Sequence, residues 1–222
     1  MNSQRLIGIF KPQNVGLFDG IVEYDHIKRL FGMALESRAR THILLTGPPA
    51  SAKTMFLTSL SQYLKNVYFV DGGNTTKAGM IDHLLENRLR YLLIDEIDKL
   101  LPKHQTFLLN LMETGIVTET KYRKTREAKI ETSVFSTCND ARKLSSPLQS
   151  RFFTVELGPY TYEQFYEITL RLLSDDEKFA PEIAQAVWNS SRNIRDCVRI
   201  GKLARSEEDV KFLLGNFQLG GN

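Results

Sequence analysis

Apolar positions in the first 158 residues fall into short runs separated by amphipathic stretches. The runs THILLTG (41–47), VYFVDGG (67–73), RYLLIDE (90–96), SVFSTCND (133–140) and FFTVEL (152–157) read as strands. Between them lie segments with helical spacing. DHIKRLFGMALESR (25–38) puts Ile27, Leu30, Phe31, Ala34 and Leu35 on one face, with Asp25 as the expected N-cap. Further helices are expected from Lys53 to about Leu64, over AGMIDHLLENR (78–88) and over PKHQTFLLNLMETG (102–115). The last of these carries Pro102 in its first turn and Gly115 at its end. Strands alternating with helices imply an α/β fold, a parallel sheet sandwiched by helices. After Gly158-Pro159 the strand pattern stops. Four amphipathic segments follow, beginning TYEQ, PEIA, IRDC and SEED, and the first opens with a capping box, Thr161 and Gln164. The expected organisation is an α/β core over residues 1–158 and a small all-helical domain over 159–222.

Composition narrows the function classes without choosing one. The 222 residues are 42% hydrophobic and 25% charged, the balance of a soluble globular chain, with a net charge of +3. That excess is too small to imply nucleic acid by itself, so a basic surface would have to be local. No apolar run approaches a membrane span, and the first residues lack the anatomy of a secretory signal, so no membrane partner and a cytoplasmic location are expected. Cys138 and Cys197 have no metal-ligand spacing and read as buried thiols. His26, His42, His83 and His104 are scattered, and Trp188 has the spacing of a core residue with Ile183, Ala184 and Val187.

Candidate chemistry begins at GPPASAKT, residues 47–54, which follows a strand and opens a helix. In that setting the backbone amides of Gly47, Pro49's successors Ala50, Ser51 and Ala52, and the helix start through Met55 can converge on phosphate oxygens. Pro48 and Pro49 shape the turn, Lys53 would reach the β- and γ-phosphates, and Thr54 would place its hydroxyl on Mg²⁺. Ala52 stands where the usual pattern has glycine. A left-handed backbone there would cost about 1 kcal/mol or more, and a helical one would cost nothing. The second element is YLLIDEID, residues 91–98, where four apolar residues lead into Asp95 and Glu96 at a strand's C-terminal end. Asp95 can hold Mg²⁺ through water, and Glu96 can orient an attacking water.

At this point the chain resembles the AAA+ ATPases, with GPPASAKT similar to their Walker A and LLIDEID to their Walker B. The resemblance implies a P-loop core followed by a helical lid, ATP and Mg²⁺ as cofactors, and hydrolysis between subunits of a ring, by default a hexamer. VFSTCND is similar to the sensor-1 strand and implies that Asn139 helps Glu96 position water. SSPLQSRF resembles the segment supplying an arginine finger, which implies that Arg151 reaches a neighbour's γ-phosphate. SRNIRD resembles sensor 2 and implies Arg195 in the lid, with basic neighbours at 192 and 199. GIVEYDHIKRL is similar to the adenine-clasping segment, which implies that Ile21 and Val22 pack on the base.

GIVTETKYRKTREAKIET, residues 115–132, is too long for a turn. It reads as two short strands, IVTET and AKIET, around a basic tip of Lys121, Arg123, Lys124, Arg126 and Lys129 with Tyr122 among them. This resembles the pre-sensor-1 hairpin of bacterial Holliday-junction branch-migration motors and of minichromosome-maintenance helicases, and implies sequence-independent contact with DNA phosphates. The same tip could dock an acidic protein. GGNTTKAGMIDHLL lacks the aromatic–apolar pair expected of a ring that threads polypeptide. After the lid the resemblance to branch-migration motors would imply a winged-helix domain, and none is expected within residues 1–222. The reading is therefore a DNA-remodelling ATPase of that type. A MoxR-type protein-remodelling chaperone and a nucleotide-binding scaffold with little hydrolysis stand as alternatives.

Overall fold

The structure, a computed structural model, describes residues 16–37, 39–121, 124–173 and 178–216. In chain order the core elements are α1 (Asp25–Glu36), β1 (Ile43–Thr46), α2 (Lys53–Tyr63), β2 (Val67–Asp71), α3 (Lys77–Asn87), β3 (Tyr91–Asp95), α4 (Pro102–Thr114), β4 (Ile116–Lys121), β5 (Lys124–Lys129), β6 (Ser133–Cys138), α5 (Ser146–Gln149) and β7 (Phe153–Glu156). Four helices follow: α6 (Tyr162–Leu172), α7 (Ala180–Asn189), α8 (Ile194–Leu203) and α9 (Glu207–Asn216).

Five strands form one parallel sheet in the order β2-β3-β6-β1-β7. The central strands are continuously apolar because both faces are covered, yet their side chains still alternate. Leu44, Leu92, Ile94 and Val134 enter a cluster with Met80 and Leu84 of α3 and Leu108 and Leu111 of α4. Ile43, Leu45, Tyr91, Leu93 and Phe135 enter the opposite cluster with Ile27 and Phe31 of α1 and Phe56, Leu57 and Leu60 of α2. Each fully buried side chain of this size contributes about 1.5–3 kcal/mol of burial free energy. His42, just before β1, is also buried. Val134 N–H donates to its Nδ1 at 3.1 Å, and burial, reinforced by Arg40, lowers its pKa to about 4, so the ring stays neutral. The four C-terminal helices enclose a third cluster, including Phe165, Ile183, Val187, Cys197, Ile200 and Val210, with Trp188 packed against it.

Two local expectations are corrected. The residue before α1 is Tyr24, left-handed at φ 61°, with no side-chain cap, and Asp25 lies inside the first turn. The Tyr24 ring is fixed against Phe56 and Tyr160, so tertiary contact sets the helix start. Asp25 still meets the positive helix end. The hairpin is the second case. Its ladder runs from Ile116↔Lys129 to Lys121↔Lys124, so β5 is KTREAK rather than AKIET. Ile130 is buried in the core instead of continuing a strand, with its N–H donating to Gly115 O at 2.8 Å. Lys129 therefore sits at the hairpin's base, away from its tip. Tyr122 and Arg123 lie outside the described residues.

Candidate nucleotide site

The sheet order places β6 between β1 and β3. The loop after β1, the acidic turn after β3 and the polar end of β6 consequently meet at one edge, the C-terminal edge where open parallel sheets bind ligands. The loop from Gly47 to Ala52 turns sharply into α2. Gly47 has φ 147°, and a Cβ there would stand 2.2 Å from Leu157 O, so only glycine fits. Ala50 and Ala52 are left-handed, at φ 62° and 59°. Of the two possibilities for Ala52, the structure has the strained one.

Lys53 is 7% exposed. Its ammonium donates to Gly47 O at 2.8 Å, Pro48 O at 2.6 Å and Ser51 Oγ at 3.1 Å. Burial lowers its pKa, opposed by the nearby carboxyl groups of Asp95, Asp98 and Glu96. The lysine is thus curled inside its own loop, on weak carbonyl acceptors that a phosphate's charge would outcompete.

The acidic side is tied together across strands. Thr54 Oγ1 lies 3.1 and 3.0 Å from the two Asp95 oxygens. Thr137 Oγ1 on β6 donates to Asp95 Oδ1 and accepts from Glu96 N–H at 3.0 Å. Glu96 is left-handed at φ 53°. Its Oε1 accepts from Asn139 Nδ2 at 3.4 Å, and its Oε2 accepts from Lys99 Nζ at 2.5 Å. The Thr54 hydroxyl and Asp95 carboxylate are hard oxygen donors and fit Mg²⁺, which takes one or two protein ligands and completes its shell with water and phosphate. No cluster of three or more His, Cys, Asp or Glu suited to a metal exists among the described residues.

These groups line a cleft of about 670 Å³, large enough for a nucleotide. Pro49, Ala50, Ser51, Ala52, Lys53, Thr54, Met55, Asp95, Glu96, Thr137 and Asn139 form its core wall, and Ile21 and Val22 its apolar end. Gly47 and Pro48 stand behind the loop as the acceptors for Lys53. The lid wall carries Arg195, together with Arg171 and Arg199. Arg192 is turned away, its guanidinium 4.9 Å from the Trp188 ring centroid. Arg151 is not on the cleft. It is partly exposed and paired with Glu113. Thr137 and Arg171 are polar cleft residues that the sequence did not single out, and Arg199 stood there only as a basic neighbour of Arg195. A buried threonine two positions before Asn139 was the only sign of the first.

In the hairpin, Arg126 is held by Glu119, with Nε at 3.0 Å from Oε2, and by Asp82 of α3. Arg126, counted with the basic tip from its sequence, therefore has its charge offset by two carboxylates. Lys129 is exposed at the hairpin base.

A strand–loop–helix phosphate cradle facing an acid pair and a polar sensor position, under a helical lid, is the arrangement of a P-loop ATPase. Residues 43–160, more than half of the chain, match the ATPase family associated with various cellular activities (AAA), and the chain belongs to that family. It is an ATPase, and its core is similar to one kind of motor within the class. The Holliday junction branch migration complex subunit RuvB of Thermosipho melanesiensis is 26% identical over 223 residues, spanning 86% of this chain and 70% of that protein. The Thermotoga maritima RuvB Holliday junction branch migration motor shares the fold at 24% identity, with a TM-score of 0.66 over 87% of this chain and 69% of that one. A variant of the same motor gives 0.69 at 24% identity, over 88% and 70%. No helix among the described residues is long and apolar enough to cross a membrane.

Proposed function

We propose that the chain hydrolyses ATP with Mg²⁺ at the interfaces of a ring of subunits, a hexamer by default, and uses the energy to remodel DNA. The carrying observation is the Thr54–Asp95–Thr137–Glu96–Asn139 network on the core wall. Thr54 and Asp95 would hold Mg²⁺, whose charge offsets that of the phosphates. Lys53 exchanges its carbonyl acceptors for phosphate oxygens. Glu96 orients and polarises the attacking water, with Asn139 fixing the carboxylate. Arg195 approaches from the lid, and closure about the junction near residue 158 brings it to the γ-phosphate. Arg151, off its own cleft, serves the next subunit. The core of 1–158 and lid of 159–222 act as the two jaws.

DNA as the substrate rests on the likeness to RuvB. Contact would come from the hairpin through Lys121, Arg123, Lys124 and Lys129, with Arg126 organising it. The ion pairing of Arg126 favours one second reading, a MoxR-type machine acting on a folded protein, since it leaves the hairpin less basic than its composition suggests. The deciding measurement is ATP turnover with and without single-stranded, duplex and branched DNA. Glu96→Gln is expected to reduce turnover at least about 100-fold and leave ATP binding intact; turnover equal to the native protein's removes the hydrolytic role of Glu96. Stimulation by a protein partner and by no DNA would move the output to the second reading.

A further inference from the structure

We infer that Lys99 is a positioning residue for the Glu96 carboxylate, an inference that rests on Glu96 being the group that orients water. Glu96 leaves the end of β3 in a left-handed conformation, and its side chain is one-third exposed. Nothing in such a setting fixes the plane of the carboxylate, because its terminal torsion is soft. The two oxygens nevertheless have different partners. Oε2 is held by the Lys99 ammonium at 2.5 Å, and Oε1 is turned to Asn139 at 3.4 Å. Asn139 lines the cleft and Lys99 does not. The charged contact therefore pins the oxygen on the outer side and leaves Oε1, next to Asn139, as the acceptor for water.

Lys99 is itself held in place. It ends the short 3₁₀ turn Ile97–Lys99, and its N–H donates to Glu96 O at 2.9 Å. Its stem runs beside Gly73, where an added Cβ would lie 3.5 Å from Lys99 Cδ. Gly72 N–H in turn donates to Asp95 O at 2.8 Å, which fastens the turn after β2 to the same backbone. Asp98, the other acid of this turn, is buried and faces inward, 3.4 Å from Asn139 N–H, so it serves the sensor position from behind. An exposed pair three residues apart contributes little to folding. Its effect here is orientation, to which reaction rates are sensitive.

Lys99→Met keeps the stem and removes the ammonium. Turnover is expected to fall about tenfold at saturating ATP, with unchanged affinity for a fluorescent ATP analogue and an unchanged unfolding midpoint, and Lys99→Arg is expected to restore most of the rate. In a Glu96→Gln background, Lys99→Met is expected to have no further effect. Unchanged or faster turnover in Lys99→Met, while Glu96→Gln is inactive, overturns the positioning role and leaves the Glu96 reading standing. An additional loss in the double variant overturns it too, since Lys99 would then act elsewhere. Full turnover in Glu96→Gln overturns both.

Discussion

The core wall of the cleft is a set of side chains hydrogen-bonded to one another across two strand ends and a helix start, whereas on the lid wall the ion pairs of Arg171 and Arg199 stay within their own helices. Thr54 at the start of α2, Asp95 and Glu96 at the end of β3, and Thr137 and Asn139 at the end of β6 share hydrogen bonds. On the lid, Arg171 pairs with Glu167 one turn away on α6, and Arg199 with the buried Asp196 on α8. The Arg195 backbone N–H is capped by Asn193 Oδ1. The first arrangement is preorganised, because moving any member breaks bonds to the others. Under the proposed function, the second would let the lid shift as a body, carrying its arginines without disturbing the core-wall network. The closure proposed above would use both, a fixed wall and a charged one that moves.

The largest expected effect comes from breaking the core wall without touching its chemical groups. A Cβ on Gly72 would stand 2.4 Å from Glu96 O and 3.2 Å from Asp95 O, both backbone atoms with little freedom to yield. Gly72→Ala should displace the acidic turn and reduce ATP turnover about 100-fold, with a folded protein by circular dichroism. Native turnover in that variant would mean the network tolerates displacement. Removing a lid contact should cost less. Arg195→Ala is expected to slow turnover about tenfold at saturating ATP, and Arg192→Ala, whose partner is Trp188, to leave it near the native rate. Equal losses in the two would dissolve the distinction between the cleft-facing arginine and its neighbour. The smallest effect concerns the loop between the walls. Ala52→Gly removes a left-handed alanine and should raise unfolding free energy by about 1 kcal/mol, read from denaturant midpoints. A lower midpoint would show that the φ of 59° carries no strain.

Much of this site was legible because its groups are local in sequence. GPPASAKT keeps a turn, a helix start and the reactive side chains within eight residues directly after a strand, and YLLIDEID keeps a strand, its turn and the acids within eight, so hydrophobic pattern and chemistry identify them together. Thr137 was not legible. It matters because β6 lies between β1 and β3, and nothing in SVFSTCND states its neighbours. The hairpin misled for a related reason. AKIET has strand-like composition, but Ile130 is claimed by the core and the register is settled by pairing. Arg126 counted as basic surface until Asp82, 44 residues away, was placed against it.

The sequence by itself determined the alternation of strands and helices, the two buried faces of the sheet, and which loop and acidic pair are the candidate site, since all of these follow from periodicity and short-range spacing. Only the tertiary structure decided the conformation of Ala52, the bridging role of Thr137, the neutralisation of Arg126 and the separation of Arg151 from its own cleft. Each depends on which distant segments pack side by side. Long-range packing sets those neighbours, and a short stretch of sequence does not contain them.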